Sequence, residues 1–174
     1  MLRQLGPCLA SNKRDRSIAF LDAPINTPQE AAAFDALFGD TTNRCMQNFV
    51  SATLVRAWVR GVVAEGLFKD AMRDWPDGTV PAIEEPESIA SIHDFARCYV
   101  AQDFAAARGL IEETRLGDKS ELARMRELAP TFGPCMPQGS QIALKPMNIR
   151  MALAEALYHA TRNPGAARLP GQSD

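Results

Sequence analysis

The chain has 174 residues, of which 46% are hydrophobic and 23% are charged, and its formal net charge is −2. These values are typical of a globular protein with one good-sized core, or with two small units that share one. A charge so close to zero disfavours nucleic acid and anionic membranes as partners. No apolar run approaches the ~20 residues that cross a bilayer, so we predict no transmembrane segment.

Apolar residues recur at helical spacing through most of the chain, and no alternating strand pattern of useful length appears. We therefore predict an all-α fold. In chain order, Leu2, Leu5 and Leu9 mark the first helix, and Thr27, Pro28 and Glu30 form a capping box at the start of another. The remaining predicted helices contain residues 55–68, 88–101, 104–114, 119–128 and 146–162. Ser88 is the expected cap of the helix over 88–101.

The spacing of the four cysteines indicates an internal duplication. Cys8 and Cys45 are 37 positions apart, as are Cys98 and Cys135, and the two pairs are offset by 90. The same offset relates further identical residues: Met46 and Met136, Leu54 and Leu144, Arg60 and Arg150, Ala64 and Ala154, Glu65 and Glu155, Leu67 and Leu157. We predict two tandem copies of a three- to four-helix unit that pack with pseudo-twofold symmetry.

The predicted units are a first repeat over 1–73 and a second repeat over 88–162, both within one compact domain. Residues 74–87, rich in proline, glycine and acidic side chains, form a linker, and residues 163–174 form a flexible tail. In this alignment the first helix is cut short at Met1, which suggests that sequence was removed upstream. No signal peptide is present in the chain itself.

Three arrangements of the cysteines are open: disulfides, free buried thiols, or a four-thiolate metal site without the usual closely spaced ligand pairs. We favour disulfides within each repeat, Cys8 with Cys45 and Cys98 with Cys135. Spacing alone leaves the cross-pairing of Cys8 with Cys98 and Cys45 with Cys135 open. Disulfides persist in oxidising compartments, so we predict a periplasmic or secreted protein; the alternative is a cytoplasmic one.

The charged residues shared by the two copies of the last helix are Arg60 and Glu65, and Arg150 and Glu155. Members of each pair are five positions apart and point about 140° away from each other on a helix, so they do not form an ordinary i, i+4 pair. Three alternatives remain: reciprocal pairs across a symmetric interface, contacts with helix ends in the same repeat, or solvent exposure.

No sequence motif of a catalytic, cofactor or metal site is present, and we predict no catalytic, metal-binding or cofactor-binding residue. The two histidines, His93 and His159, align with Arg3 and Lys69, which predicts exposed positions. Gly61 and Gly66 interrupt a helix, either for close backbone approach or through drift between the copies.

The chain resembles uncharacterised small, exported, all-helical bacterial proteins with a tandem Cys…Cys…Arg-x4-Glu repeat. The residues that carry the resemblance are 95–98, 128–130, Cys135 and 150–158. The resemblance implies no activity.

The predicted function is therefore an exported helical structural or interaction module that binds an unknown protein partner or forms a homodimer. The alternative is a protein that binds an apolar small molecule or lipid in a pocket between the repeats, lined by methionines, Gly61 and Gly66. An enzyme ranks third, since a constellation of distant residues escapes a search by spacing.

Overall fold

The computed structural model describes residues 1–39, 44–46, 53–76, 79–81, 83–136 and 144–162. Within these ranges the regular elements are eight α-helices and two 3-10 helices, so the all-α prediction is confirmed. The α-helices are α1 (Leu2–Asn12), α2 (Arg14–Asp22), α3 (Pro28–Phe38), α4 (Arg56–Met72), α5 (Ile92–Gln102), α6 (Phe104–Glu113), α7 (Lys119–Leu128) and α8 (Pro146–Thr161). The 3-10 helices are Arg44–Met46 and Ala129–Cys135. The predicted tail lies outside the described residues.

Local capping fixes where several helices begin. The Glu30 backbone N–H donates to Thr27 Oγ1 at 3.2 Å, and Pro28 is the first residue of α3, as the capping box predicts. The prediction for α5 is wrong, because Ser91 and not Ser88 is its cap: Ser91 Oγ accepts from the Asp94 N–H at 3.2 Å. The chain enters this helix three residues later than the apolar pattern suggests.

The first helix has the same length as its predicted counterpart, because α5 begins at Ile92 and not at Ser88. Both α1 and α5 contain 11 residues. Leu5 and Leu9 of α1 are buried, as are Phe95 and Tyr99 of α5. The apolar spacing predicted both helices, but it placed the start of α5 too early.

The long helices α4 and α8 lie against each other at the centre, with α1 packed on α4 and α5 packed on α8. The remaining helices α2, α3, α6 and α7 flank this row. Buried apolar residues from residues 5–72 and 95–160 join in one hydrophobic cluster. The parts of the chain before and after the predicted linker therefore share a core.

Two helix crossings are very close. A Cβ built on Gly61 would lie 2.4 Å from Met151 Cβ, and one built on Gly6 would lie 2.0 Å from the Val62 carbonyl oxygen. Gly66 sits against Gly6 and Ala10 in the same way. Close backbone approach thus accounts for Gly61 and Gly66, and these residues pack against neighbouring helices instead of lining a cleft.

The structure pairs Cys8 with Cys45 and Cys98 with Cys135, with Cα–Cα distances of 5.6 and 5.7 Å. Each disulfide ties a helix of the central row, α1 or α5, to a 3-10 helix that precedes α4 or α8. All four cysteines are in disulfides, so neither free thiols nor a four-thiolate arrangement is present. These links hold the segments that lead into the two central helices.

Candidate functional site

Two arginines at the middle of the central helices organise the buried polar chemistry. Arg60 of α4 is 3% exposed, and its guanidinium donates to both oxygens of Glu155 on α8, with Nε 3.1 Å from Oε1. Its Nη atoms donate to the carbonyls of Phe20 at 2.8 Å and Leu21 at 2.9 Å, and Ala23 accepts a further bond. These carbonyls belong to the C-terminal end of α2, so Arg60 caps that helix with a cation.

Arg150 of α8 makes contacts of the same kind, with its carboxylate partner on α4. It is fully buried, and its Nε and Nη2 donate to Glu65 of α4 at 3.0 and 2.9 Å. The other donations go to the carbonyls of Leu110, Ile111 and Thr114 and to Thr114 Oγ1, at the end of α6. Both arginines therefore join a carboxylate of the opposite central helix to the end of a flanking helix.

A second carboxylate completes each cluster. Glu30 of α3 lies 3.3 Å from Arg60 Nη1, and Glu121 of α7 lies 3.7 Å from Arg150 Nε. Both glutamates are buried, and each also accepts a backbone N–H four residues earlier, from Asn26 and Gly117. Those two residues have positive φ, 62° and 71°, which turns the N–H towards the carboxylate. The sequence pattern marks Glu30 only as part of a capping box and Glu121 only as a residue of the predicted helix over 119–128.

The surroundings of Glu155 contain the two histidines of the chain. His93 Nδ1 and His159 Nε2 each lie 3.9 Å from a Glu155 oxygen, and their side chains are 34% and 44% exposed. Burial acts to raise the pKa of Glu155, but contacts with His159 and Arg60 and the charge of His93 outweigh it and lower the pKa from 4.5 to about 2. The sequence predicted exposed positions for both histidines and gave no sign that they lie beside Glu155.

The Glu65 cluster has a lysine and an arginine nearby where the Glu155 cluster has histidines. Lys69, one turn along α4, donates to Glu65 Oε1 at 2.7 Å. Arg3 on α1 donates through Nε to the Leu116 carbonyl beside this cluster. The two clusters therefore have equivalent central ion pairs and differ in the outer basic side chains, lysine and arginine at one and histidines at the other.

Cavities adjoin both clusters. One of about 230 Å³ lies between α1, α4 and the turn after α6, and Glu65 and Lys69 line it. Another of about 440 Å³ lies between α3, α4 and α5, and Glu30, Arg56 and His93 line it. A third, of about 420 Å³, is a mostly apolar groove along α7, the second 3-10 helix and α8. The first two contain residues from both predicted repeats.

The arrangement chiefly cross-links the fold. Nε, Nη1 and Nη2 of Arg60 and of Arg150 all donate to carboxylates, carbonyls or a hydroxyl of the protein. Within the described ranges, no group of three or more His, Cys, Asp or Glu side chains is placed to hold a metal ion. Arg60 and Arg150 are buried and not exposed, and each one both pairs with a glutamate of the other central helix and contacts the end of a flanking helix.

Sequence reasoning missed Arg3, Arg115, Glu30, Glu121 and the histidines as neighbours of these clusters. A signal existed for the glutamates, because Glu30 and Glu121 align with a gap of one residue. No such signal marked Arg3 or Arg115, because their neighbours come from distant parts of the chain.

No protein-family model, curated protein or solved structure matches the chain. Among the described helices, none combines the length and the apolar character needed to cross a membrane.

Proposed function

We propose that the protein is an exported, disulfide-bonded helical module with a structural or interaction role, built from two tandem copies of one unit. The observation that carries the proposal is the reciprocal pairing of Arg60 with Glu155 and of Arg150 with Glu65. Contacts between two related halves are reciprocal when a twofold axis relates them. Such a rigid, cross-linked core suits a scaffold that presents a surface.

Positions related by the offset of 90 also meet each other, as residues next to a twofold axis do. Trp58 Nε1 lies 3.4 Å from Asn148 Oδ1, and Gly61 packs against Met151. The carbonyls that Arg60 and Arg150 cap follow the same offset for Phe20 and Leu110. These contacts support a duplication whose two copies still pack around the original axis.

Export is supported by the two disulfides and by the resemblance to exported bacterial proteins. Each disulfide closes a loop of 37 positions, for which the chain-entropy model gives about 4 kcal/mol of stabilisation. Such bonds persist in the periplasm or outside the cell, whereas cytosolic reductants keep thiols reduced. The two disulfides therefore support an oxidising compartment for the protein.

Intact mass spectrometry tests the compartment and the architecture together. Protein isolated from its native source is denatured and alkylated without reductant, with a reduced sample as the control. We expect no alkylation without reductant and peptides that join Cys8 to Cys45 and Cys98 to Cys135. Four alkylated thiols in the unreduced sample would contradict export and favour the cytoplasmic alternative.

The interaction role is tested by sedimentation equilibrium on purified protein and by chemical cross-linking of the tagged protein in its native cells. An unrelated exported protein with the same tag controls for non-specific cross-linking. We expect either a homodimer in solution or one dominant cross-linked partner. A monomer without a specific cross-linked product would contradict the interaction role.

A second candidate function is the binding of a small apolar or amphipathic molecule between the two halves. The cavity of about 230 Å³ favours it, because α1 and α4 form one wall and the turn after α6 forms the other. Native mass spectrometry of the protein from its own source would test it, with a retained small molecule as the expected result.

A further inference from the structure

The cavity between α1, α4 and the turn after α6 combines an apolar lining with a cluster of cations. Leu2, Pro7, Val62 and Leu116 supply the apolar lining, and Val62 and Leu116 are buried. Arg3, Lys69 and Arg115 supply the cations, and Glu65 is the one carboxylate among the residues that line it. The whole chain has a net charge of −2, so this cavity has the opposite sign from the protein.

The charge of Glu65 is already matched by other groups. Its two oxygens accept from Arg150 and Lys69, at 2.7 to 3.0 Å. In the described part of the chain, Arg3 is bonded to the Leu116 carbonyl and has no carboxylate within 4.0 Å, and the Arg115 side chain has no ion-pair partner. Two guanidinium groups therefore remain at the cavity without a counter-ion from the described residues.

The cavity at the opposite cluster lacks this surplus. There, Arg56 pairs with Glu30 at 3.3 Å and Arg60 pairs with Glu155, and the position 90 residues after Arg3 is His93. His93 itself lies beside Glu155. The two charged cavities thus provide a comparison within one molecule, and the one at Glu65 carries the unpaired arginines.

We propose that this cavity binds a small amphipathic carboxylate, with an aliphatic chain of medium length on the apolar lining and its carboxylate at Arg3 and Arg115. A guanidinium presents a planar pair of donors that matches a carboxylate, and charge-assisted hydrogen bonds of this kind are the strong ones. Apolar pockets with a few polar groups at one end are typical of sites for such ligands. The proposal rests on the second candidate function above and names its ligand class.

Calorimetric titration of the full chain with octanoate tests the proposal, with acetate and octanol as probes of the head and the tail alone. We expect octanoate to bind at least tenfold more tightly than either. Arg3→Met and Arg115→Met should each weaken octanoate binding about tenfold, the factor that 1.4 kcal/mol represents. Arg56→Met, at the opposite cavity, and Arg108→Met, on the surface, should leave the affinity unchanged.

Circular dichroism on each variant verifies that it is folded. Three results would each overturn the proposal. The first is equal affinity for octanoate and acetate, and the second is unchanged octanoate binding in the Arg3→Met/Arg115→Met double variant. The third is no octanoate binding up to about 5 mM, a concentration at which the binding free energy is only about 3 kcal/mol. If octanol binds with the same affinity as octanoate, the cavity is an apolar pocket between the halves and the proposed role of the carboxylate is wrong. Loss of octanoate binding in Arg56→Met alone would move the site to the other cavity.

Discussion

Replacing Arg150 by methionine should destabilise the protein more than any single change on its surface. Methionine keeps an unbranched apolar stem and the helix propensity of arginine, so the change mainly removes the guanidinium. The lost contacts are two hydrogen bonds to Glu65, one to Thr114 Oγ1 and those to three carbonyls at the end of α6. Glu65 and Glu121 would then remain beside the core without their buried cation.

The expected cost follows from burial. Arg150 is 0% exposed, and removing one partner of a buried ion pair typically costs about 3–5 kcal/mol because the remaining charge stays desolvated. Arg108 and Glu112 offer a matched pair on α6, joined at 2.7 Å but 41% and 30% exposed. Arg108→Met should cost less than about 1 kcal/mol, since exposed pairs contribute little.

Urea unfolding at pH 7, with disulfides intact, measures both changes. The slope with denaturant must stay unchanged for the comparison to hold. A double variant, Arg150→Met with Glu65→Gln, should recover part of the loss, with a coupling of about 1–3 kcal/mol. An Arg150→Met variant that loses less than Arg108→Met, or a coupling near zero, would refute the conclusion that the buried pair joins the two halves.

Three further changes test other parts of the structure. Replacing Cys8 and Cys45 together by alanine should lower the free energy of unfolding by about 4 kcal/mol, the chain-entropy value for this loop, and an unchanged urea midpoint would argue against that disulfide. The low pKa of Glu155, about 2 against 4.5, stabilises the folded protein above pH 4.5 by about 3 kcal/mol, and this is lost as the pH falls from 4.5 towards 2. Glu155→Gln should therefore be less stable than the wild type at pH 7 and approach it in acid, and a constant difference measured by urea unfolding would contradict this. Gly6→Ala should destabilise by about 1–3 kcal/mol through overlap with a carbonyl of α4, whereas Gly109→Ala, which meets only side-chain ends, should stabilise by up to about 1 kcal/mol in thermal unfolding.

The sequence alone was enough to predict the helical class and the start of α3, and it contains the equal spacing of the two cysteine pairs. Each of these depends on residues close together in the chain or on simple arithmetic between identical residues. The start of α5 shows the limit of such reasoning. Ser88 and Ser91 both precede the apolar pattern, and only the path of the chain into the helix selects Ser91.

The tertiary structure decided where the charged residues meet. Sequence spacing excluded a pair between Arg60 and Glu65 on one helix, but left three environments open for each. The crossing of α4 and α8 at Gly61 brings Arg60 to Glu155 and Arg150 to Glu65, and the packing of α5 on α8 places His93 beside Glu155. The angle and distance at which two helices pack depend on side chains from both, so no pattern within one segment determines these contacts.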